Sequence, residues 1–409
     1  MLKAISLAMS CGLSFLASPA VRAADLPGPW VELGTNGALA IRSIVAAGSS
    51  CPQATADGVA LPMQPRSSAN REFPLVVCQA LASAATAALT VGGLPVPALP
   101  TAIRRIVVIG DTGCRLKGSE VQDCNDPFSW PFATLARLAA GKKPDLVIHV
   151  GDYFYRETPC PERSPGCAGS PYLDHWPTWK LDLFDPAAPL LAAAPWVVVR
   201  GNHESCERGG QGWVRLLDPS PEFRECADQT EPYALHFGGL ELLIFDSSGA
   251  DDGTARENTL PTYTAEVGGL LTNVPPHAWL VTHRPFWALN GAGFALNATE
   301  QAATRGHVPP TLDMVLSGHV HDFTSYAFGP NRPAQLVVGD SGDKSDALPQ
   351  LPITGTVIDG MPVQKSFALQ RYGYFLLDQV EGGWDGALYG EDDRVLVHCR
   401  LRGRDIECA

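Results

Sequence analysis

The stretch Trp196-Val197-Val198-Val199-Arg200-Gly201-Asn202-His203-Glu204 decides how this chain is read. Its first four residues are apolar and mostly β-branched, as in a buried strand. The Gly-Asn-His that follows turns the chain and presents an amide and an imidazole together. The same ending recurs. Ile106-Val107-Val108-Ile109 stops at Gly110-Asp111-Thr112-Gly113, and Leu146-Val147-Ile148-His149-Val150 stops at Gly151-Asp152-Tyr153-Phe154-Tyr155. Trp279-Leu280-Val281-Thr282 stops at His283, and Met314-Val315-Leu316-Ser317 stops at Gly318-His319-Val320-His321. Each of these apolar strands ends in a potential metal ligand.

Open α/β sheets build their sites at the carboxyl ends of strands. The candidate ligands are therefore Asp111, Asp152, Tyr155, Asn202, His283, His319 and His321. Together they offer more oxygen and nitrogen donors than one zinc ion takes, whereas two ions bridged by one carboxylate would use them all. Carboxylate, phenolate and imidazole without thiolate suit iron, manganese or zinc, and the phenolate favours a hard trivalent ion.

The surrounding chain predicts an α/β (α+β) protein with a two-layer or sandwich core and helices outside. Helices are expected over Pro131 to Ala140, and from Asp185 as N-cap, with Pro186 in the first turn, through Ala193. After His321 the chain reads mostly as strands. Residues 24–100 alternate short apolar stretches with Gly, Pro and Ser, which predicts a small β-rich amino-terminal domain, although Gln79 to Ala88 also fits a helical turn or two. The proline-rich Gly93 to Pro100 reads as its linker, leaving 101–409 as the catalytic domain.

Residues 1–23 read as an export signal, with Lys3 before an apolar stretch and Val21-Arg22-Ala23 at the cleavage site. Cleavage removes two cations and no acid, taking the net charge from −13 to −15. That balance excludes a surface that tracks nucleic acid. No apolar run is long enough to span a membrane. The cysteines left in an exported chain imply disulfides, and proximity alone pairs Cys51 with Cys78, Cys114 with Cys124, Cys160 with Cys167, Cys206 with Cys226, and Cys399 with Cys408.

The five strand-end blocks resemble the purple acid phosphatases within the calcineurin-like metallophosphoesterases. That family's GDxG, GDxxY, GNH followed by Glu or Asp, VxxH and GHxH occur here in family order, with Leu280 for Val as the one departure. The resemblance implies a metallophosphoesterase-type ββ sandwich flanked by helices. It also implies two metal ions, Fe(III) beside a divalent Fe, Zn or Mn. By matched position, Asp111, Tyr155 and His321 would hold the ferric ion, Asn202, His283 and His319 the divalent one, and Asp152 would bridge them. The implied reaction is hydrolysis of small phosphate monoesters, by attack of a metal-bound hydroxide at acid to neutral pH. His203 would be the catalytic residue that binds the phosphate or protonates the leaving group. The alternatives are a phosphodiesterase, a nucleotide or phospholipid hydrolase on the same site, or a relative that binds metal without turnover.

Other features have plainer readings. His149, His175, His236, His277, His307 and His398 read as ordinary core or surface histidines, and Gly339-Asp340-Ser341-Gly342-Asp343 as a loop. Arg200 and Arg284 flank ligands and either meet phosphate or pair with a carboxylate. The segments 160–180, 205–230 and 250–265 are the expected rim, with Tyr172, Trp176 and Trp213 available to stack on a substrate ring. The cysteines at 114, 160 and 206 each follow a ligand block, which suggests that their disulfides stiffen that rim.

Overall fold

A computed structural model describes residues 26–350 and 352–409; the expected signal segment lies outside them. Two sheets pack face to face. At the centre of the larger one, the strands Arg105–Ile109, Leu146–His149 and Trp196–Val198 run parallel. In the seven-stranded one, Glu241–Ile244, Ala278–Val281, Leu312–Ser317 and Ala334–Val338 also run parallel.

The alternation of side chains along each strand builds the layers. Ile106 and Val108 point between the sheets, where they join Ile148, Val197, Leu242, Met314 and Leu336. Their neighbours Val107 and Ile109 point outward onto a cluster with Phe132, Leu135, Leu183 and Leu190 from the helices on that face. On the far side Leu243, Leu280, Val315 and Val337 lie in one cluster with Tyr263, Val267 and Ala303 of two further helices. Both faces of each sheet are thus apolar, which explains strands that read as continuous hydrophobic runs. Each such side chain contributes roughly 1.5–3 kcal/mol on burial. The result is the expected sandwich with helices outside.

The segment before residue 100 departs from a separate small domain. Trp30–Leu33 pairs in parallel with Trp196–Val198, Glu32 opposite Trp196, and Leu39–Ala46 and Leu75–Ala82 continue the larger sheet outward. A buried ion pair sits in this extension: Arg42 Nη1 lies 2.8 Å from Glu32 Oε2 and donates to the Leu216 carbonyl at 2.7 Å. Only Gln53–Ala56, Val59–Pro62, Leu89–Val91 and Leu94–Val96 form a four-stranded sheet apart. The expected linker thus contributes a strand, and Gln79 to Ala82 is strand rather than helix.

The first expected helix forms as Phe132–Gly141. The second begins earlier than Asp185, because Trp176–Trp179 already turns as a helix and a π turn over Lys180–Phe184 carries it into Asp185–Leu191. Asp185 lies inside this run with helical backbone angles, so it is not the cap. All five cysteine pairs read from proximity are disulfides in the fold, the bonding expected of an exported protein. Among the described residues no helix is long and apolar enough to cross a membrane.

Candidate metal centre

The parallel strands of both sheets end at one edge, and there the five blocks meet. Tyr155 Oη lies 2.9 Å from Asp111 Oδ1, from Asp152 Oδ2 and from His321 Nε2. The same Asp152 Oδ2 is 3.1 Å from His283 Nε2, which lies 3.2 Å from Asn202 Oδ1. Ligand atoms of Asp152, His283 and His319 fall within 4.8 Å of one another. All the candidate ligands therefore gather around Asp152, which stands between two groups of donors.

The backbone is bent to achieve this. Asp111, Asp152 and His319 adopt φ values of 54°, 57° and 74°, a region that costs a side-chain-bearing residue free energy and persists only where surrounding contacts enforce it. Two glycines permit the close approach: a Cβ on Gly201 would run into Asp152, and one on Gly318 into Asp111. The Asp111 Oδ2 atom accepts from the His319 amide at 2.9 Å, and Asp152 Oδ1 from the His203 amide at 2.8 Å, so each carboxylate also ties one block to another.

Glu204 is the strongest of these ties. Its buried carboxylate accepts backbone N–H bonds from Asp152 (3.1 Å), Tyr153 (2.8 Å), Phe154 (3.1 Å) and Gly201 (3.0 Å), locking the second block to the third. Asp182, reaching up from the π turn, accepts from the Tyr155 amide at 3.0 Å and the Cys114 amide at 3.2 Å while paired with Arg156.

The donor set fits cations. A phenol has one proton to give, yet Tyr155 Oη faces two carboxylate oxygens and an imidazole nitrogen. Burial, with Asp111 and Asp152, pushes its phenol well above the ordinary range. Burial opposes charge on the imidazoles too, yet Asp152 lifts His283 to about 9, and Asp343 with Asp111 lifts His321 to about 10. Positive charge is what this concentration of negative groups demands, and bound metal would supply it in place of protons. The other ring nitrogens are already engaged: His283 Nδ1 with the Val150 carbonyl at 2.8 Å, His321 Nδ1 with the Lys344 carbonyl at 3.1 Å, and His319 Nε2 with Asp252 at 2.8 Å. That leaves His283 Nε2, His321 Nε2 and His319 Nδ1 as lone-pair donors.

His203 packs against the Tyr155 ring with centroids 3.8 Å apart and planes tilted by 39°. Its Nδ1 is 2.7 Å from Glu157 Oε1, and its Nε2 lies 3.9 Å from Asp152 Oδ2, towards the donor cluster. Arg208 pairs with Glu157 and touches the same imidazole. Burial pushes His203 down to about 4 against the pull of Asp152 and Glu157.

The model of the calcineurin-like phosphoesterase family matches residues 104–323, more than half of the chain. The chain belongs to that family. Among solved structures, purple acid phosphatase PPD1 from yellow lupin (Lupinus luteus) seeds is similar at 14% identity and a TM-score of 0.58, over 90% of this chain and 72% of that one. PhoD is similar at 11% identity and a TM-score of 0.56, over 95% and 93%. At these identities the likeness shows a shared fold. No curated protein matches the chain in sequence. Membership supports a metal-dependent hydrolase, and the fold implies a dinuclear metal site.

Sequence reading missed the groups behind the ligands. Asp343, in the stretch that reads as a loop, lies 3.3 Å from His321 Nδ1 and pairs with Arg115. Asp252 pairs with Arg284 and His319. Arg200 donates to the Glu204 and Ala227 carbonyls and lies 3.6 Å from Asp246, so it is a structural residue. Of the expected rim aromatics only Tyr172 is exposed; Trp176 packs on Phe184 and Trp213 on Tyr153 in the core. His149 is a buried residue stacked on Tyr153, as the plainer reading had it. The sequence carried one usable signal for the missed groups, since Arg115 and Glu157 stand just after the first and second blocks.

Proposed function

We propose that the chain is an exported, periplasmic or secreted binuclear phosphatase of the acid phosphatase type, cleaving small phosphate monoesters. Asp111, Tyr155 and His321 would hold Fe(III), Asn202, His283 and His319 would hold a divalent Fe, Zn or Mn, and Asp152 would serve both. The observation that carries this reading is the position of Asp152 Oδ2, 2.9 Å from Tyr155 Oη and 3.1 Å from His283 Nε2. One carboxylate oxygen there faces a phenol-centred donor group on one side and an amide–imidazole group on the other.

When bound, two such ions supply Lewis acidity and a nucleophile below the ordinary pKa of water. The chain's own residues do the rest. Glu157 accepts from His203 Nδ1, which fixes the ring, while Nε2 lies 2.8 Å from Arg208 Nη2 and 3.9 Å from Asp152 Oδ2 at the edge of the donor cluster. There Nε2, when protonated in acid, donates a hydrogen bond to the phosphoryl group and gives its proton to the leaving alkoxide. Glu204 and Asp182 keep the Asp152–Tyr155 loop in register while substrate enters and leaves.

The test is a visible absorption spectrum of the purified protein beside elemental analysis and assays with a phosphomonoester and a phosphodiester. A charge-transfer band, about two metals per chain and faster monoester cleavage are expected. A protein that neither retains nor rebinds metal would overturn the reading. A colourless protein with two zinc or manganese ions would remove the ferric part, and faster diester cleavage would move the substrate to the alternative class.

A further inference from the structure

The two histidines of Gly318-His319-Val320-His321 stand two residues apart, yet they are backed by different parts of the fold. His319 Nε2 meets Asp252 Oδ2 at 2.8 Å. Arg284 Nη1 donates to that same oxygen at 2.6 Å, and the other carboxylate oxygen, Oδ1, accepts from Asn297 Nδ2 at 2.7 Å. The Asn297 side chain in turn accepts from the amides of Thr299 and Glu300 at the start of the helix Ala298–Thr304, so Asp252 is held from an element outside the five blocks. On the other histidine, Nδ1 meets Asp343 Oδ2 at 3.3 Å and the Lys344 carbonyl at 3.1 Å. Arg115 Nε spans both oxygens of Asp343 at 3.1 and 3.0 Å, and the Asp343 amide donates to the Asp111 carbonyl at 2.7 Å. The Arg115 guanidinium lies 5.2 Å from the Tyr155 ring centroid.

His283 differs, because its Nδ1 is engaged by the neutral Val150 carbonyl. A carboxylate behind an imidazole fixes which nitrogen faces the metal and strengthens it as a donor. A carboxylate this close to a metal site is also a rival ligand. Pairing with a guanidinium, a charge-assisted bond of fixed direction, holds it back in place. The two supports share no residue, and they leave opposite nitrogens free, Nδ1 on His319 and Nε2 on His321.

We propose that Asp252 with Arg284 and Asp343 with Arg115 are separate positioning units, one for each metal position, so that the affinity of the two ions is set independently. The inference rests on the two-metal reading above. It assigns Asp252 to the ion at Asn202, His283 and His319, and Asp343 to the ion at Asp111, Tyr155 and His321.

The experiment compares the full-length protein with Asp252→Asn and Asp343→Asn, each loaded with iron and zinc and then dialysed against a graded series of chelator. Remaining metals are counted by elemental analysis, the visible band is recorded, and circular dichroism checks the fold. Asp252→Asn is expected to lose the zinc at about 10–100-fold lower chelator while iron and band persist. Asp343→Asn is expected to shift the band and release iron by a similar factor while zinc persists. Should an asparagine variant fail to fold, Arg284→Lys or Arg115→Lys keeps the carboxylate and the charge while losing the fork geometry, and the same one-sided loss is expected in reduced degree. Variants that weaken both metals alike, or neither, would overturn the proposal. A wild-type protein holding fewer than two metals would instead remove the reading beneath it.

Discussion

Replacing Glu204 by Gln changes one heavy atom in the buried centre of the molecule and tests how the candidate ligand loops are held. In the native protein each carboxylate oxygen accepts two backbone N–H bonds: Oε1 from Tyr153 and Phe154, Oε2 from Asp152 and Gly201. Glutamine keeps one accepting oxygen and places an NH2 where the other stood. Whichever way the amide turns, two buried N–H donors lose their acceptor and face another donor. An orphaned buried donor costs about 1–3 kcal/mol, so with some relaxation the variant should be less stable by about 2–5 kcal/mol. That is a large share of the roughly 5–15 kcal/mol that holds a typical domain together. Urea unfolding of metal-free protein gives the number without interference from metal loss, and hydrogen exchange at the amides of residues 152–154 should speed up locally. A variant within about 0.5 kcal/mol of wild type, with those amides still protected, would refute the account of Glu204 as the tie between the blocks.

The metal-free protein should lose stability as pH rises. His283 and His321 sit at about 9 and about 10 when folded and near 6.5 when unfolded, so their contribution is complete below about pH 6.5 and gone above about pH 10. A thermal melt series over that window should show a fall on the order of a few kcal/mol, and saturating metal should flatten it; a flat metal-free profile would contradict the crowding of negative charge described above. Tyr155→Phe removes the phenol oxygen facing Asp111, Asp152 and His321. It should abolish the visible band and weaken iron retention by at least about tenfold, while a band that survives would place its origin elsewhere. Removing Cys206–Cys226, which closes 20 residues, should cost about 3 kcal/mol, against about 2 kcal/mol for Cys160–Cys167, which closes 7. Denaturant midpoints of the two double-serine variants check that order, and the reverse order would show that loop closure is not the governing effect.

The candidate ligands stood out in the sequence because each lies within a few positions of a strand end, so one short window holds both the strand and the donor. The disulfides were legible for the same reason, the partners being close along the chain. What escaped depends on distant contacts. Glu32 opposite Trp196 is a pairing of neighbouring strands that lie far apart along the chain, and no local pattern in Trp30–Leu33 announces it. Asp252 and Asp343 come from loops with no periodicity, so nothing near them in sequence marks the histidines they support. Trp176 and Trp213 looked like rim residues because they stand in loop-rich segments, yet their size and apolar area draw them into the core beneath. The helix was expected to start at Asp185 because Pro186 resembles a first-turn proline, whereas the run is already helical from Trp176 and reaches Pro186 through the π turn.

The pairing of Trp30–Leu33 with Trp196–Val198 also bears on where this chain can be cut. The strand that ends in Asn202 and His203 has Leu146–His149 on one side and Trp30–Leu33 on the other. A chain trimmed to begin at residue 101 would keep every candidate ligand, yet it would uncover an apolar strand edge directly beneath them, an invitation to pair with a second molecule. Anyone isolating the catalytic half by its family boundaries should expect aggregation before inactivity, and should instead retain the first strand.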